Sequence, residues 1–320
     1  MKRALVVGLN DYPYGLALRG CVNDAKEVSM RLEKHWNDDK NFDVNPITGE
    51  CSRSLLKTAI KECFEGTAEV ALFYFAGHGM IDAYGGHIVT TDSLNAELSL
   101  QDILWVVNES SCTNKVVILD SCFSGNMGNF AHTVATTIIN EGVTILAACK
   151  RDQTAKEHDK HGVFTELLLA ALDGEAADLF GKVTIGGVYA YIDKSLSAWE
   201  QRPVIKTNAT TFCPLREVKP PIDVKILRNL SEYFRTSDEH YQLDPSYEFT
   251  NKIELSHQVI EPYALFEHTQ IMKELQQLER VGLVVPCGTD HMYNAAMESK
   301  SCQLTPIGKH YWRLAKGRKV

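Results

Sequence analysis

The stretch "VVILDSCFSG" occupies residues 116–125. Val116 to Leu119 form an unbroken apolar run, which then meets an acid, a serine and a thiol before a phenylalanine and a glycine turn. Strands covered on both faces read as continuous apolar runs, whereas half-exposed strands alternate, so this run predicts a buried strand of a parallel sheet. A cysteine needed only for packing has no use for such an approach. At the carboxyl end of a strand in an open α/β sheet it stands where ligands bind. Cys122 is therefore a candidate nucleophile, and Asp120, two residues before it, is a candidate cation binder.

The same strand grammar repeats through the first 210 residues. "RALVVGLN" (3–10), "EVALFYFAG" (69–77) and "GVTILAAC" (142–149) read as further buried strands, the second followed by a hairpin ending in "GHIVTTDS". Helical spacing separates them at 21–36, 52–64, 99–108, 162–172 and 185–199. Ser52 is a plausible N-cap, and Ser99 with Asp102 is set like a capping pair. "RPVIKTN" (202–208) reads as an edge strand, because Pro203 has no N–H to give a central ladder. Alternation of this kind implies an α/β fold with a mostly parallel sheet flanked by helices. Residues 1–212 are expected to form that domain. Residues 213–224, with Pro214, Pro220 and Pro221, read as a linker. A small α+β domain is expected over 225–320. It has a helix at 222–234, an amphipathic helix at 262–282 with Pro262 in its first turn, "LVVPCG" and "KSCQLT" as a hairpin, and a closing helix at 306–317.

The chain of 320 residues carries a net charge of −8. Residues 214–320 hold 14 basic and 14 acidic side chains, so the whole deficit lies in residues 1–213. An acidic first part argues against nucleic-acid binding there and suits a cationic ligand. No apolar run approaches the roughly 20 residues that cross a bilayer, and the apolar stretch after the first residues is too short for a signal peptide. Nine cysteines, odd in number and without framework spacing, point to reduced thiols and a cytoplasmic location.

His78 follows an apolar run and lies between two glycines. Alone, it has a capping or packing reading, and Cys122 alone reads equally well as a buried thiol. Together they supply what thiol catalysis needs: a base within reach of a thiol that must lose its proton. Asp120 sharpens the case, since a nearby negative charge disfavours the thiolate and makes little sense beside a nucleophile unless it receives a cation.

"FYFAGHG" followed by "VVILDSCFSG", with Cys122 standing 44 residues after His78, resembles the caspase-like cysteine peptidases of the metacaspase and bacterial caspase-homologue branch. A histidine about 50 residues before the cysteine is a general caspase arrangement. "ALRGCVNDA" (17–25), "LAACKRDQTAKE" (146–157), "HGVFTELLLAAL" (161–172) and "QRPVI" (201–205) extend the resemblance over roughly residues 1–210. It implies Cys122 as nucleophile and His78 as general base and acid. It also implies an oxyanion hole from the N–H groups of Gly79 and Cys122. The acidic first pocket of such enzymes maps onto Asp120 and Asp24, with Cys21 on its wall, and implies cleavage after arginine or lysine. Animal caspases, which cut after aspartate, have Gln-Ala before the cysteine; this chain has Asp120-Ser121, so aspartate cleavage is not expected. Ala76 departs from the serine that many metacaspases place in Ser-Gly-His-Gly.

Calcium-activated relatives use a cluster of aspartates. Asp92 and Asp102 fall near two of those places and Asn129 occupies a third, so calcium activation has a weak basis and no cofactor is expected. No Lys or Arg lies between Lys115 and Lys150. An enzyme specific for basic residues would not cut itself there, which leaves Arg216, Lys219, Lys225, Arg228 and Arg235 as processing points or as ordinary solvated charges. The C-terminal pattern resembles a winged-helix module. Only its tail "KHYWRLAKGRKV" is basic, so an activating protein partner or autoinhibition is expected ahead of nucleic acid. Cys287, His291, Cys302 and His310 match no tight zinc spacing. The expected activity is that of a regulated effector endopeptidase of a bacterial antiviral defence or cell-death system. The alternatives are a catalytically silent peptide-binding regulator and an acyl or amide transferase on the same dyad.

Overall fold

The computed structural model describes residues 1–13, 16–82, 85–92, 97–124, 137–148, 162–196, 202–252 and 259–320, with residues 122–124 by their backbone only. The chain divides into two compact units, Met1–Lys219 and Pro220–Val320. No helix among the described residues is long and apolar enough to cross a membrane.

The first unit is built on strands β1 (Lys2–Gly8), β2 (Phe42–Thr48), β3 (Val70–Asp82), β4 (Gly85–Val89), β5 (Glu97–Ser99), β6 (Asn114–Ser124), β7 (Val143–Ala147), β8 (Lys182–Thr184), β9 (Val204–Thr207) and β10 (Pro214–Glu217). Its helices are α1 (Cys21–Glu33), α2 (Arg53–Phe64), α3 (Leu100–Glu109), α4 (Val163–Ala170) and α5 (Ile185–Ser195). The main sheet runs β2-β1-β3-β6-β7-β9, parallel from β2 to β7 and closed by antiparallel β9. β4 and β5 extend it as antiparallel additions to the far end of β3.

Strand alternation sends each strand's side chains to two separate cores. Leu5, Val7, Phe73, Phe75, Val117 and Leu119 pack against α2 and α3 through Leu56, Ile60, Ile103 and Val107. Ala4, Val6, Leu72, Tyr74, Val116 and Ile118 pack on the other face with Val28 and Leu32 of α1, Leu168 of α4, and Val188 and Ile192 of α5. That double coverage is why the strands read as unbroken apolar runs.

The first unit departs from the sequence reading in several places. β2 was not foreseen: "FDVNPIT" contains Pro46 and pairs only with β1, at the sheet edge where a missing N–H is tolerated. Residues 214–217, expected as linker, form β10 and pair with β8. Their carbonyls are taken up within the first unit: Lys2 Nζ donates to Pro214 O at 2.8 Å, Asn41 Nδ2 to Leu215 O at 2.7 Å, and Trp36 N to Glu217 O at 3.1 Å. The division consequently falls after Lys219. Finally, β3 does not stop before His78 but continues to Asp82, because Gly79 to Asp82 pair with β4.

The second unit contains α6 (Val224–Tyr233), β11 (His240–Gln242), α7 (Phe266–Arg280), β12 (Val284–Pro286), α8 (Met292–Met297), β13 (Ser301–Leu304) and α9 (Pro306–Lys316). Its sheet is antiparallel in the order β11-β13-β12. β12 and β13 pair as expected, but α8 stands between them in place of a tight hairpin, and β11 adds a third strand. α7 starts at Phe266, later than the expected 262. The buried Asn251 amide donates to the carbonyls of Ile260 and Pro262 at 2.8 and 3.0 Å, which holds that segment outside the helix.

Candidate active site

The ends of β3 and β6 outrun their neighbours. β1 accompanies β3 only as far as the pair Gly8–Ala76, and β7 accompanies β6 only as far as Ala147–Leu119. β3 and β6 continue together through Gly77–Ser121, His78–Cys122, Gly79–Phe123 and Met80–Ser124. They form a ledge beyond β1 and β7, flanked by β4 from Gly79 onward, with the backbones of His78 and Cys122 paired in its middle. Such a position, beyond the carboxyl ends of the flanking strands, is where open α/β sheets bind ligands.

His78 is half-buried and held from two sides. Its Nε2 lies 2.6 Å from the carbonyl oxygen of Leu16. A carbonyl only accepts, so Nε2 carries the proton and Nδ1 keeps the lone pair that can take one up. The ring of Tyr12 stands edge-on to the imidazole at 4.5 Å between centroids. The Tyr12 hydroxyl accepts the N–H of His78 at 3.0 Å and donates to Val89 O at 3.1 Å, fastening the start of the β3–β4 hairpin. Burial pushes the Tyr12 hydroxyl well above the usual tyrosine range, so it stays a neutral donor. Gly77 is required by this contact, since a Cβ there would lie 2.4 Å from the Tyr12 oxygen. Neither Leu16 nor Tyr12 was foreseen. A main-chain carbonyl has no residue-type signature, and Tyr12 in "NDYPYG" resembles any tyrosine in a turn.

The acidic candidates lie on the face of the sheet covered by α1 and α4. Gly8 lets α1 start directly over the end of β1, because any Cβ there would come within 2.1 Å of Cys21 O. Asn10 Oδ1 accepts the N–H of Val22 at 3.2 Å and helps cap that helix. Cys21 and Asp24 are thereby carried to the strand ends. Asp120 pairs in register with Ala76 on β3. Asp24, Ala76 and Asp120 are buried, while Cys21 is half-buried. The group converges on Tyr74: burial first, then the charges of Asp120 and Asp24, push its hydroxyl far above the ordinary range, and Cys21 adds in the same direction. Thr165 of α4 donates to Asp120 Oδ2 at 2.7 Å and is itself 2.7 Å from the Tyr74 hydroxyl. The structure therefore sets Asp24, Asp120 and Cys21 near the Tyr74 hydroxyl, with Ala76 in register beside Asp120, and the contacts of the Tyr74 and Thr165 hydroxyls were not foreseen.

Asp92 and Asp102 are not part of this group. Asp92 accepts the Thr90 hydroxyl at 2.6 Å and the N–H of Arg53 at 3.2 Å, next to the Ser52 cap of α2. Burial raises its carboxyl, but those hydrogen bonds outweigh burial and the net shift is downward. Asp102 is exposed in the first turn of α3, whose N-cap Ser99 accepts from Gln101 N at 3.1 Å. Asn129 and the segments 125–136, 149–161 and 197–201 lie outside the described residues. Among the described residues no group of three or more His, Cys, Asp or Glu is placed to hold a metal ion.

The caspase-domain family model matches residues 1–213. Metacaspase-1 of Scheffersomyces stipitis is 30% identical over 116 residues, which is 33% of this chain and 27% of that protein. The chain thus spans little more than a quarter of the length of that curated relative. The crystal structure of protein GSU0716 from Geobacter sulfurreducens superposes with a TM-score of 0.51 at 16% identity, covering 68% of this chain and 100% of that one. At that identity the likeness is one of fold.

Proposed function

Because the chain belongs to the caspase-domain peptidase family through residues 1–213, we propose that it is a cysteine endopeptidase that cuts after arginine or lysine. The observation that carries this reading is the pairing of His78 with Cys122 in the middle of the β3–β6 ledge, with Leu16 O fixing the imidazole from behind. Nδ1 of His78 takes the thiol proton as the sulfur attacks the scissile carbonyl carbon. The N–H groups of Gly79 and Cys122 receive the developing oxyanion. His78 then passes its proton to the leaving amine, which leaves a thioester on Cys122. A water deprotonated by His78 attacks the thioester and frees the acid and the thiol.

The basic side chain of the substrate goes to Asp120, with Asp24 adding charge and Cys21 and Ala76 lining the approach. Two buried carboxylates beside one guanidinium meet its planar fork of donors and offset the cost of taking it out of water. Calcium has no role in this reading, since the Asp92 carboxylate is already committed to Thr90 and Arg53. The second unit serves as a winged-helix-like regulatory module that meets an activating protein partner. The whole acts in the cytoplasm as an effector of defence or cell death. Support for the regulatory role is the separate compactness of Pro220–Val320.

Hydrolysis of matched fluorogenic peptides with Arg, Lys or Asp before the scissile bond, for wild type and Cys122→Ala, with calcium or with chelator, tests the proposal. Cleavage after Arg or Lys that vanishes in Cys122→Ala supports it. Cleavage after Asp removes the pocket assignment and leaves the dyad standing. Transfer of the acyl group to an added amine in place of water would make the chain a transferase.

A further inference from the structure

"FYF" at 73–75 places a tyrosine between two phenylalanines in the middle of a buried strand. Tyr74 is 0% exposed and packs in the core on the face covered by α1 and α4. A phenylalanine would fill that volume, and a buried hydroxyl costs stability unless it is bonded. What the hydroxyl does is therefore a separate question from what the ring does. Thr165, also 0% exposed, has a single hydroxyl proton, and it goes to Asp120 Oδ2. Its oxygen can then only accept from Tyr74, so donation runs one way, from Tyr74 to Thr165 to Asp120. Both links are 2.7 Å, and in a dry interior such chains strengthen each other. Tyr74 is anchored by the sheet and Thr165 by the first turns of α4, so the relay has two rigid supports.

We propose that Thr165 and Tyr74 are positioning residues that lock the plane of the Asp120 carboxylate and make the pocket select a guanidinium over an ammonium group. The inference rests on the reading that Asp120 receives the basic side chain of the substrate. A carboxylate turns easily about its terminal torsion, which is broad and nearly two-fold. A guanidinium binds through two parallel N–H bonds and needs that plane held. An ammonium is a compact point charge with rotatable donors and is far less sensitive to it. Orientation of Asp120 consequently contributes to arginine recognition and little to lysine recognition.

The test compares kcat and KM on peptides that differ only in Arg or Lys before the scissile bond. Wild type is set beside Thr165→Val, Thr165→Ser and Tyr74→Phe, with thermal melting confirming that each is folded. Thr165→Val is expected to lower kcat/KM for the arginine peptide about tenfold, chiefly through KM, the size of one lost hydrogen bond to a charged group. The lysine peptide should change less than about threefold, so the preference for arginine falls. Thr165→Ser restores it, and Tyr74→Phe moves it the same way by a smaller factor. If Thr165→Val does not fold, Tyr74→Phe and Thr165→Ser carry the comparison. Equal losses on both peptides, or no loss, overturn the inference while the pocket assignment stands. A wild type that cuts after neither basic residue removes the pocket assignment, and the inference falls with it.

Discussion

Tyr12 and His78 hold each other in place: their rings meet edge-on at 4.5 Å, and the Tyr12 hydroxyl accepts the His78 backbone N–H at 3.0 Å. The imidazole is therefore fixed by one group on its ring nitrogen and another on its backbone. Tyr12→Phe keeps the ring contact and removes the acceptor. The expected outcome is a fall in kcat of about three- to tenfold with KM little changed, and a loss of about 1–3 kcal/mol from the stranded N–H. Steady-state kinetics and chemical denaturation check both. An unchanged kcat would mean that Leu16 alone orients the base.

Gly77→Ala should cost more than an ordinary alanine substitution. The new methyl would lie 2.4 Å from the Tyr12 oxygen and 2.8 Å from Phe75 Cζ, and Phe75 is fully buried. Overpacking of this kind destabilises by about 1–3 kcal/mol. Peptidase activity should drop along with stability, because the atom displaced is the one that fastens His78. A variant with wild-type melting temperature and activity would refute the contact.

Three thiols outside the candidate site, Cys51, Cys63 and Cys302, are buried. Burial pushes Cys51, with help from Asp92, up to about 11, pushes Cys63 up to about 11, and pushes Cys302 up to about 12. In the native Cys122→Ser chain these three should resist iodoacetamide near neutral pH and react only after denaturation, since the thiolate is the reactive form. Mass spectrometry of labelled peptides reads the result. Fast native labelling of Cys51 or Cys63 would contradict their burial.

His35 ties the acid sensitivity of the first unit to β10. Its Nδ1 accepts the Glu217 N–H at 3.0 Å, and burial lowers its affinity for a proton. In the unfolded chain a histidine titrates near its ordinary value of about 6.5. Below that value the unfolded state binds more protons than the folded one, so stability falls as pH decreases through the window beneath about 6.5. His35→Gln removes this titration. The loss of melting temperature between pH 7.5 and 5.5 should be smaller in the variant than in wild type, and identical losses would show that His35 does not report on this contact.

The amino-acid sequence by itself marked the central strands of the first unit and the two candidate residues, His78 and Cys122, that the apolar runs lead to. Strands covered on both faces must be apolar throughout, so "RALVVGLN", "EVALFYFAG", "KVVILD" and "GVTILAAC" were legible as strands, and the polar residues that end them stood out. β2 and β10 were not legible, because short edge and peripheral strands carry proline and polar residues without penalty. Asp120 and Asp24 could be named, but not the reason they are held where they are.

Only the tertiary structure decided the pairings. The register of His78 with Cys122 and of Ala76 with Asp120 follows from hydrogen bonding between strands far apart in sequence. The carbonyl of Leu16 belongs to no motif, since every residue has one. The bond between Tyr74 and Thr165 joins hydroxyls 91 residues apart, and nothing in either local sequence marks it. Apolar patterning is a local property that burial imposes residue by residue. A site made of main-chain groups and hydroxyls exists only once the chain has closed around it.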